Sequence, residues 1–561
     1  MHPGDGHRGS LEAMTVTGTV PPADDLEQGA GRSGPGARPA ARLAARRWQV
    51  AAWVGAGLAL YAFFVRISFG GRVNSDGANS ALQAWDLVHG HLLLHGWHIG
   101  DATFYAFELP LNGIMQLIFG LGDVAAHLAS ALTYLIVAAC AAALAVAASA
   151  GTSRAVRCAI VVTVLVVPLL AAPDVLVLLE EPDHVGTSMF ILVSFLLVDR
   201  APSRWYSAPL LCVILCAGQL SDLTVRYVAV PAIVVVCGYQ MLASRRLRSR
   251  DAALGVAAAV SVPLETMLRT LMVHVGGFIM VAPKAKLSPP RLWPQHASVT
   301  WLDVRILFGA VTEPAARLGS LRAALGWVCL LAALAGLGRV AWTWRTASRA
   351  EQLLGLAIIF NVGVYLISVM PLPDGSREVA AVLPCGAILA ARALVPARIT
   401  GRRLAVPAIA ATALLALVPL VAAAARPPVG ATSGSKTGAA TAPLTAWLAA
   451  HKLTYGVGGY WDASVVTLQS GNKVQIRAVD LHPNVTATVW KINIPGWETN
   501  ALWYDPSRYR ATFAVADVHG PYPVTAFEQF FGKPTSTHRV AGWVVLIYRR
   551  NLLGQVLPML P

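Results

Sequence analysis

Charge is scarce in this chain: Asp, Glu, Lys and Arg together make up 13% of its 561 residues, against a hydrophobic share of 56%. Soluble globular domains carry about 25% charged residues, so a string of water-soluble domains is excluded and a bilayer is the solvent this composition requires. Acidic residues are scarcer still, 29 Asp and Glu against 44 Lys and Arg. That basic excess does not call for nucleic acid as a partner, because it is gathered into arginine clusters between apolar runs, at 44–47, 245–250 and 398–403. Clusters so placed fix the orientation of membrane helices and meet anionic headgroups. Cysteine is missing after Cys385, and no CxxC occurs anywhere. The seven cysteines (Cys140, Cys158, Cys212, Cys216, Cys237, Cys329, Cys385) lie in or beside apolar runs, which argues against a disulfide framework or a cysteine metal site.

What is abundant is apolar sequence of helix-spanning size. Residues 1–46 are rich in Gly, Pro, Ala and Arg without periodicity and read as a disordered cytoplasmic tail. The first apolar run, 48–69, follows Arg46 and Arg47 and has no small-residue cleavage site, so it is expected to stay as an anchor with the N-terminus inside. Further runs follow at 124–149, 158–179, 185–198, 205–221, 227–242, 252–268, 323–338, 352–370, 379–391 and 404–425. Alternating sides from the inside puts Arg154, Arg157, Arg200, Arg204 and the clusters at 245–250, 339–349 and 392–403 on one face. That parity gives about eleven spans over 47–425, a multi-pass protein of the plasma or inner membrane. Residues 108–120 (ELPLNGIMQLIFG) would invert every later loop if counted, and read instead as an interfacial or re-entrant helix. The first outer loop, 70–122, is then expected to hold two short surface helices.

A Pro, Gly, Ser and Thr linker at 426–440 leads to a segment of different character, 441–561. An amphipathic helix at 441–452 and short alternating stretches at 464–468, 473–479, 511–515 and 542–548 predict a small extracytoplasmic α+β domain. The expected fold class is a polytopic α-helical membrane protein carrying that domain.

An ionisable group near the bilayer costs several kcal/mol unless it is paired or wetted, so charges at span ends are functional candidates. Four outer turns carry them. Asp76, in Asn74-Ser75-Asp76-Gly77, could take a proton from an acceptor hydroxyl or, with Ser75, merely cap a helix. The turn Glu180-Glu181-Pro182-Asp183-His184 packs carboxylates that need a cation, a shared proton or an arginine from elsewhere; otherwise it is a hydrated turn. Arg226 could grip a phosphate, or pair with Asp222 at i,i+4 or with the second turn. Arg377, followed by Glu378, opens a late span where a lipid phosphate sits, with snorkelling beside Glu378 or Asp374 as the plainer role. Glu265 and Arg269 read as a structural ion pair. His89, His91, His95 and His98 lie too close to Gly90 and Gly96 for a helical zinc site, and interfacial packing is preferred; a divalent metal is possible but not favoured.

This layout resembles the GT-C superfamily of membrane glycosyltransferases, in particular its protein O-mannosyltransferase and lipid A aminoarabinose transferase branch. The resemblance covers residues 48–395 and rests on Asp76 after the first span, the Pro-rich start Glu108-Leu109-Pro110-Leu111 of a loop helix, Asp183 between later spans, and Arg377 at a late span. Gly77 stands where a second acid is common in the family, Glu378 where Tyr often follows the Arg, and Asp222 or Arg226 where a Lys is common. The resemblance implies inverting transfer of a hexose or pentose from a polyprenyl-phosphate sugar, with no cofactor, to a glycan, lipid or protein acceptor on the outer side. It implies Asp76 and Asp183 as catalytic carboxylates, Asp76 as the base, with Glu181, His184, Arg226, Arg377 and Glu378 binding substrate. Two rivals share the composition. A lipid or polysaccharide transporter would place paired charges at mid-bilayer and show internal symmetry. A non-catalytic envelope-assembly protein would use Tyr460, Trp461, Trp490, Trp497, Trp503 and Tyr504 to stack on sugars, although the core of a small domain needs aromatics too.

Overall fold

The computed structural model describes residues 37–71, 73–171, 177–180, 184–200, 204–245, 249–281, 287–311, 317–368, 375–398, 441–483, 490–520 and 522–559. The chain forms two compact units, 1–56 and 57–561. The described part of the first is the N-terminal stretch of helix α1 (Ala37–Ser68); the contacts below all lie within the second.

Apolar runs fold as helices because a helix satisfies its own backbone hydrogen bonds where water is absent. In chain order come α2 (Ser75–Val88), β1 (Trp97–Ile99), α3 (Glu108–Phe119), α4 (Asp123–Ala145), α5 (Thr152–Val166), α6 (Pro168–Ala171), α7 (Val177–Glu180) and α8 (Val185–Arg200). Next are α9 (Ser207–Ser221), α10 (Thr224–Ser244), α11 (Arg250–His274), β2 (Ile279–Met280), α12 (Trp293–Leu307), α13 (Arg317–Trp342), α14 (Arg349–Ile367) and α15 (Val382–Leu394). Among the described residues six helices are long and apolar enough to cross a bilayer, in α1, α4, α10, α11, α13 and α14; α9 and α15 are shorter apolar helices. The chain is a polytopic helical membrane protein. The expectation of about eleven spans therefore has six behind it by length and composition, since α5, α8, α9 and α15 are shorter than the roughly 20 residues a span needs. The tail at 1–36, the run at 404–425 and the linker at 426–440 lie outside the described residues.

Helix α3, at 12 residues, is about 18 Å long and cannot span. Its polar and small residues Glu108, Asn112, Gly113 and Gln116 are buried, while Ile114, Leu117, Ile118 and Phe119 are exposed. This is the length and the apolar outer face expected of an interfacial or re-entrant helix.

The C-terminal part contains α16 (Thr441–Ala450), β3 (Tyr455–Gly459), α17 (Tyr460–Gln469), β4 (Gln475–Pro483), β5 (Trp490–Asn493), β6 (Thr499–Asn500), β7 (Phe513–Asp517), α18 (Val524–Phe531), β8 (Ser536–Val540) and β9 (Trp543–Ile547). A six-stranded sheet has the order β5-β4-β3-β7-β9-β8. Central β3 runs parallel to β4 and β7, and the outer pairs are antiparallel. Glycines build β3 because a Cβ at Gly456 would stand 2.4 Å from the Phe513 ring. The stretch 464–468, expected as a strand, lies inside α17. It is buried on two sides, Ala463 and Val466 in the cluster with the sheet residues and Val465 and Leu468 with Ala78 and Ala81 of α2. Apolar residues all round a short helix hide its 3.6-residue period.

A second, three-stranded sheet of order β2-β1-β6 joins the first loop, the segment after α11 and the C-terminal domain. With α17 packed on α2, it fixes the C-terminal domain over the first loop.

Candidate active site

Asp76 stands in the first turn of α2. The turn is capped by Asn74, whose side chain accepts from the Asp76 and Gly77 amides at 2.8 and 3.0 Å, so capping falls to Asn74 rather than to Ser75 or Asp76. The Asp76 Oδ1 atom accepts the Tyr460 hydroxyl of α17 at 2.5 Å. Its Oδ2 atom lies 4.0 Å from an Arg377 guanidinium nitrogen, and 22% of the Asp76 side chain and 38% of the Arg377 side chain remain exposed. Two residues 301 positions apart in sequence thus face one another, both partly exposed.

Arg377 does not open α15 as expected but sits before it, in the 3₁₀ turn Gly375–Val379. That turn is seated on α14. A Cβ at Gly375 would stand 2.0 Å from the Tyr365 hydroxyl, which itself donates to the buried Asp303 at 2.9 Å, and Asn361 donates to the Glu378 carbonyl at 3.0 Å. Only glycine allows so close an approach.

From Glu378 the contacts run inward. Its carboxylate is 3.8 Å from Arg377 and 3.5 Å from His184 Nε2. His184 Nδ1 is 2.7 Å from Asp222 Oδ2, and Asp222 also accepts the Thr187 hydroxyl and, at 2.7 Å, the Thr224 amide. Burial would depress the His184 imidazole, but Asp222 and Glu378 on its two nitrogens hold it well above the usual histidine range. Burial opposes ionisation of Asp222 and Glu378 in turn; the imidazolium overcomes this and keeps both below the usual carboxylate range. His184 adopts a left-handed backbone, φ 53°, at a cost of about 1–2 kcal/mol for a residue with a Cβ, which its two carboxylate contacts offset.

Further carboxyls surround this line. The loop before α3 is zipped to the end of α9, Thr103 donating to the Leu220 carbonyl at 2.6 Å and the Ala106 amide to Ser221 Oγ at 2.8 Å. Burial raises Asp101 there, with Asp222 and Glu378 adding to the effect against His184. Glu108 is 3% exposed and burial pushes it up to about 8; Gly186 makes room for it, since a Cβ there would lie 1.9 Å from Oε1. Glu498, also in the left-handed region at φ 47°, accepts the Gly100 amide at 2.9 Å and Gln83 Nε2 at 2.7 Å. Burial, with Asp76 nearby, pushes it up to about 7.

Of the residues singled out in the sequence, Asp76, His184, Arg377 and Glu378 are brought together. Glu181 and Asp183 lie outside the described residues. Arg226 is not on this line: its guanidinium contacts buried Glu265 and Gln219, and Arg269 shares Glu265 at 3.2 Å, so the expected Glu265–Arg269 pair is a triad. His89 and His95 meet the backbone carbonyls of Trp85 and Gly276. Sequence reasoning missed Asp101 and Glu498, named Glu108 only as the start of a loop helix and Tyr460 only as an aromatic of the C-terminal domain, and offered Asp222 as one alternative partner of Arg226.

No protein-family model matches the chain, and no curated protein matches it in sequence. Two solved structures share its fold. ArnT from Cupriavidus metallidurans in the apo state is 15% identical at a TM-score of 0.55, over 91% of this chain and 99% of that one. The same protein bound to undecaprenyl phosphate is 14% identical at a TM-score of 0.55, over 89% and 97%. At such identity the likeness establishes the fold alone, a helical membrane body with a C-terminal β-sheet domain like that of ArnT.

Proposed function

We propose that this protein is a membrane glycosyltransferase that moves a sugar from a polyprenyl-phosphate donor to an acceptor hydroxyl on the outer side of the membrane. The observation that carries this reading is the facing pair Asp76 and Arg377, a base and a cation from remote segments, 4.0 Å apart and both part-exposed. Further support comes from the fold shared with ArnT, one structure of which holds undecaprenyl phosphate.

In the proposed inverting step the acceptor oxygen attacks the anomeric carbon as its proton passes to Asp76. The bond from that carbon to the phosphate oxygen breaks, and polyprenyl phosphate leaves with the electron pair. Arg377 is proposed to stabilise that growing negative charge, as a cation already in place needs little reorganisation. Glu378, held by His184, limits where the Arg377 guanidinium can swing. Asp183 and Glu181 enter the proposal from the sequence, as acids of the same rim that orient sugar or acceptor, and Arg226 as a donor-side cation that also serves Glu265. The hexosyl or pentosyl donor is assigned on the same ground.

The test is consumption of labelled undecaprenyl-phosphate sugars in membranes bearing the intact chain or Asp76→Asn. Loss of turnover with donor binding retained is expected; full turnover by the variant rejects Asp76 as the base.

A further inference from the structure

The donor-side residues of the site all come from the helical body, yet one oxygen of the base is held by the C-terminal domain. Tyr460 is the first residue of α17 and 3% exposed. Its hydroxyl is 2.5 Å from Asp76 Oδ1 and 3.4 Å from Asn79 Nδ2. The direction of these bonds follows from the next link. Ser464 donates to Asn79 Oδ1 at 2.6 Å, which turns the Asn79 amide nitrogen, a donor, toward Tyr460. A hydroxyl that accepts from Asn79 has its proton to give, and Asp76 is the acceptor in reach. The phenol cannot swing away: Ser75 Oγ donates to the Tyr460 carbonyl at 2.7 Å, and the ring is stacked on Trp497 at 5.2 Å and 17°.

We infer that Tyr460 is a positioning residue for the base: it fixes Asp76 Oδ1, leaves Oδ2 toward Arg377 and the acceptor, and so makes the C-terminal domain part of the transfer site. This rests on Asp76 being the base. Docking does not require the hydroxyl, because α17 already packs on α2 through Val465, Leu468, Ala78 and Ala81. Burial, together with the charges of Asp76 and Glu498, keeps the phenol protonated far into the alkaline range, so it remains a donor wherever the base is ionised.

A hydrogen bond to a carboxylate stabilises its charged form. In native membranes supplied with labelled undecaprenyl-phosphate sugars, Tyr460→Phe should lower kcat about 10- to 100-fold, leave the donor KM unchanged, and move the acid limb of the rate profile to higher pH. Val465→Ala, which trims the packing of α17 on α2 without touching the hydrogen bonds to Asp76, should leave the position of that limb unchanged. Replacing Tyr460 by 3,5-difluorotyrosine, which keeps the hydroxyl and makes it a stronger donor, should move the limb to lower pH and carries the test if the Phe variant does not fold. An unshifted limb in both Tyr460 variants overturns the inference, as does a faster Phe variant, which would make the hydroxyl an obstruction. Equal rate losses in Tyr460→Phe and Val465→Ala with no pH shift would also overturn it, by reducing Tyr460 to a docking contact. Asp76→Asn run alongside separates the two levels: if it turns over normally the base assignment itself fails, whereas an inactive Asp76→Asn beside a wild-type-like Tyr460→Phe removes only Tyr460.

Discussion

Arginine does different work at the two ends of the helical body. At the end where α4 and α15 finish, Arg157 donates to the carbonyls of Ala145 and Val395 at 3.0 and 2.8 Å, Arg392 to that of Leu144 at 3.0 Å, and Arg339 to that of Arg392 at 2.9 Å. Arg157 and Arg392 are each 6% exposed. They satisfy the carbonyls that a helix C-terminus leaves over and sit at the negative end of its dipole. Where α8 and α10 begin, Arg377 faces carboxylates at 3.8 and 4.0 Å instead, looser than a direct hydrogen bond, with over a third of its side chain open. The first arrangement is spent on the protein's own backbone carbonyls. The second is held together by His184 between Asp222 and Glu378 and keeps part of the Asp76 and Arg377 side chains exposed, as the proposed transfer site would need.

Substitutions should separate the two ends into activity without stability and stability without activity. The largest effect belongs to Asp76→Asn, with transfer down about 10³-fold or more and a thermal midpoint in detergent close to wild type; a normal rate would erase the distinction. Arg377→Ala should follow, down about 10²- to 10³-fold in kcat/KM, with Arg377→Lys recovering part of the loss because it restores charge but not the planar fork. Arg392→Ala is the converse. It strands buried carbonyls at about 1–3 kcal/mol, so the melting midpoint should fall while the folded fraction, counted by donor binding, keeps its turnover. Lost turnover at an unchanged midpoint would place Arg392 in the chemistry and end the contrast.

How much of this could be read from the sequence depends on what each residue costs where it stands. Asp76, His184, Arg377 and Glu378 were legible because an ionisable group at a span end demands an explanation. The pairing of Asp222 was not. Read as helical, it would reach Arg226 at i,i+4, but its backbone is extended, φ −159° and ψ 122°, which takes it off the α10 face and turns it to His184. Tyr460 and Glu498 were hidden for another reason, as residues of a water-facing domain whose burial against the first loop spans 384 and 398 positions of sequence. Nothing local marks such a contact. The same holds for β3, whose glycines answer to the closeness of the Phe513 ring and leave no apolar alternation to see.

The smallest expected effect tests the seam between the C-terminal domain and the open end of the body. Glu498 binds its proton more tightly folded, at about 7, than in an unfolded chain, near 4.3. A raised group contributes stability that is complete below the unfolded value and lost as pH rises through the folded one, so its contribution should fall between about pH 4.3 and 7 and then level off. Glu108, pushed up to about 8, acts in the same direction over a wider window, and wild-type stability should therefore decline from acid to mildly alkaline pH. Glu498→Gln keeps a neutral side chain able to meet Gly100 and Gln83, and removes its own titration. Melting midpoints in detergent at pH 5 and pH 8 should differ less in the variant than in the wild type, with the remainder left to the other raised groups, Glu108, Asp101 and His184. Parallel curves would mean that Glu498 stays ionised at the seam, and that the domain is held there by charge rather than by a buried neutral acid.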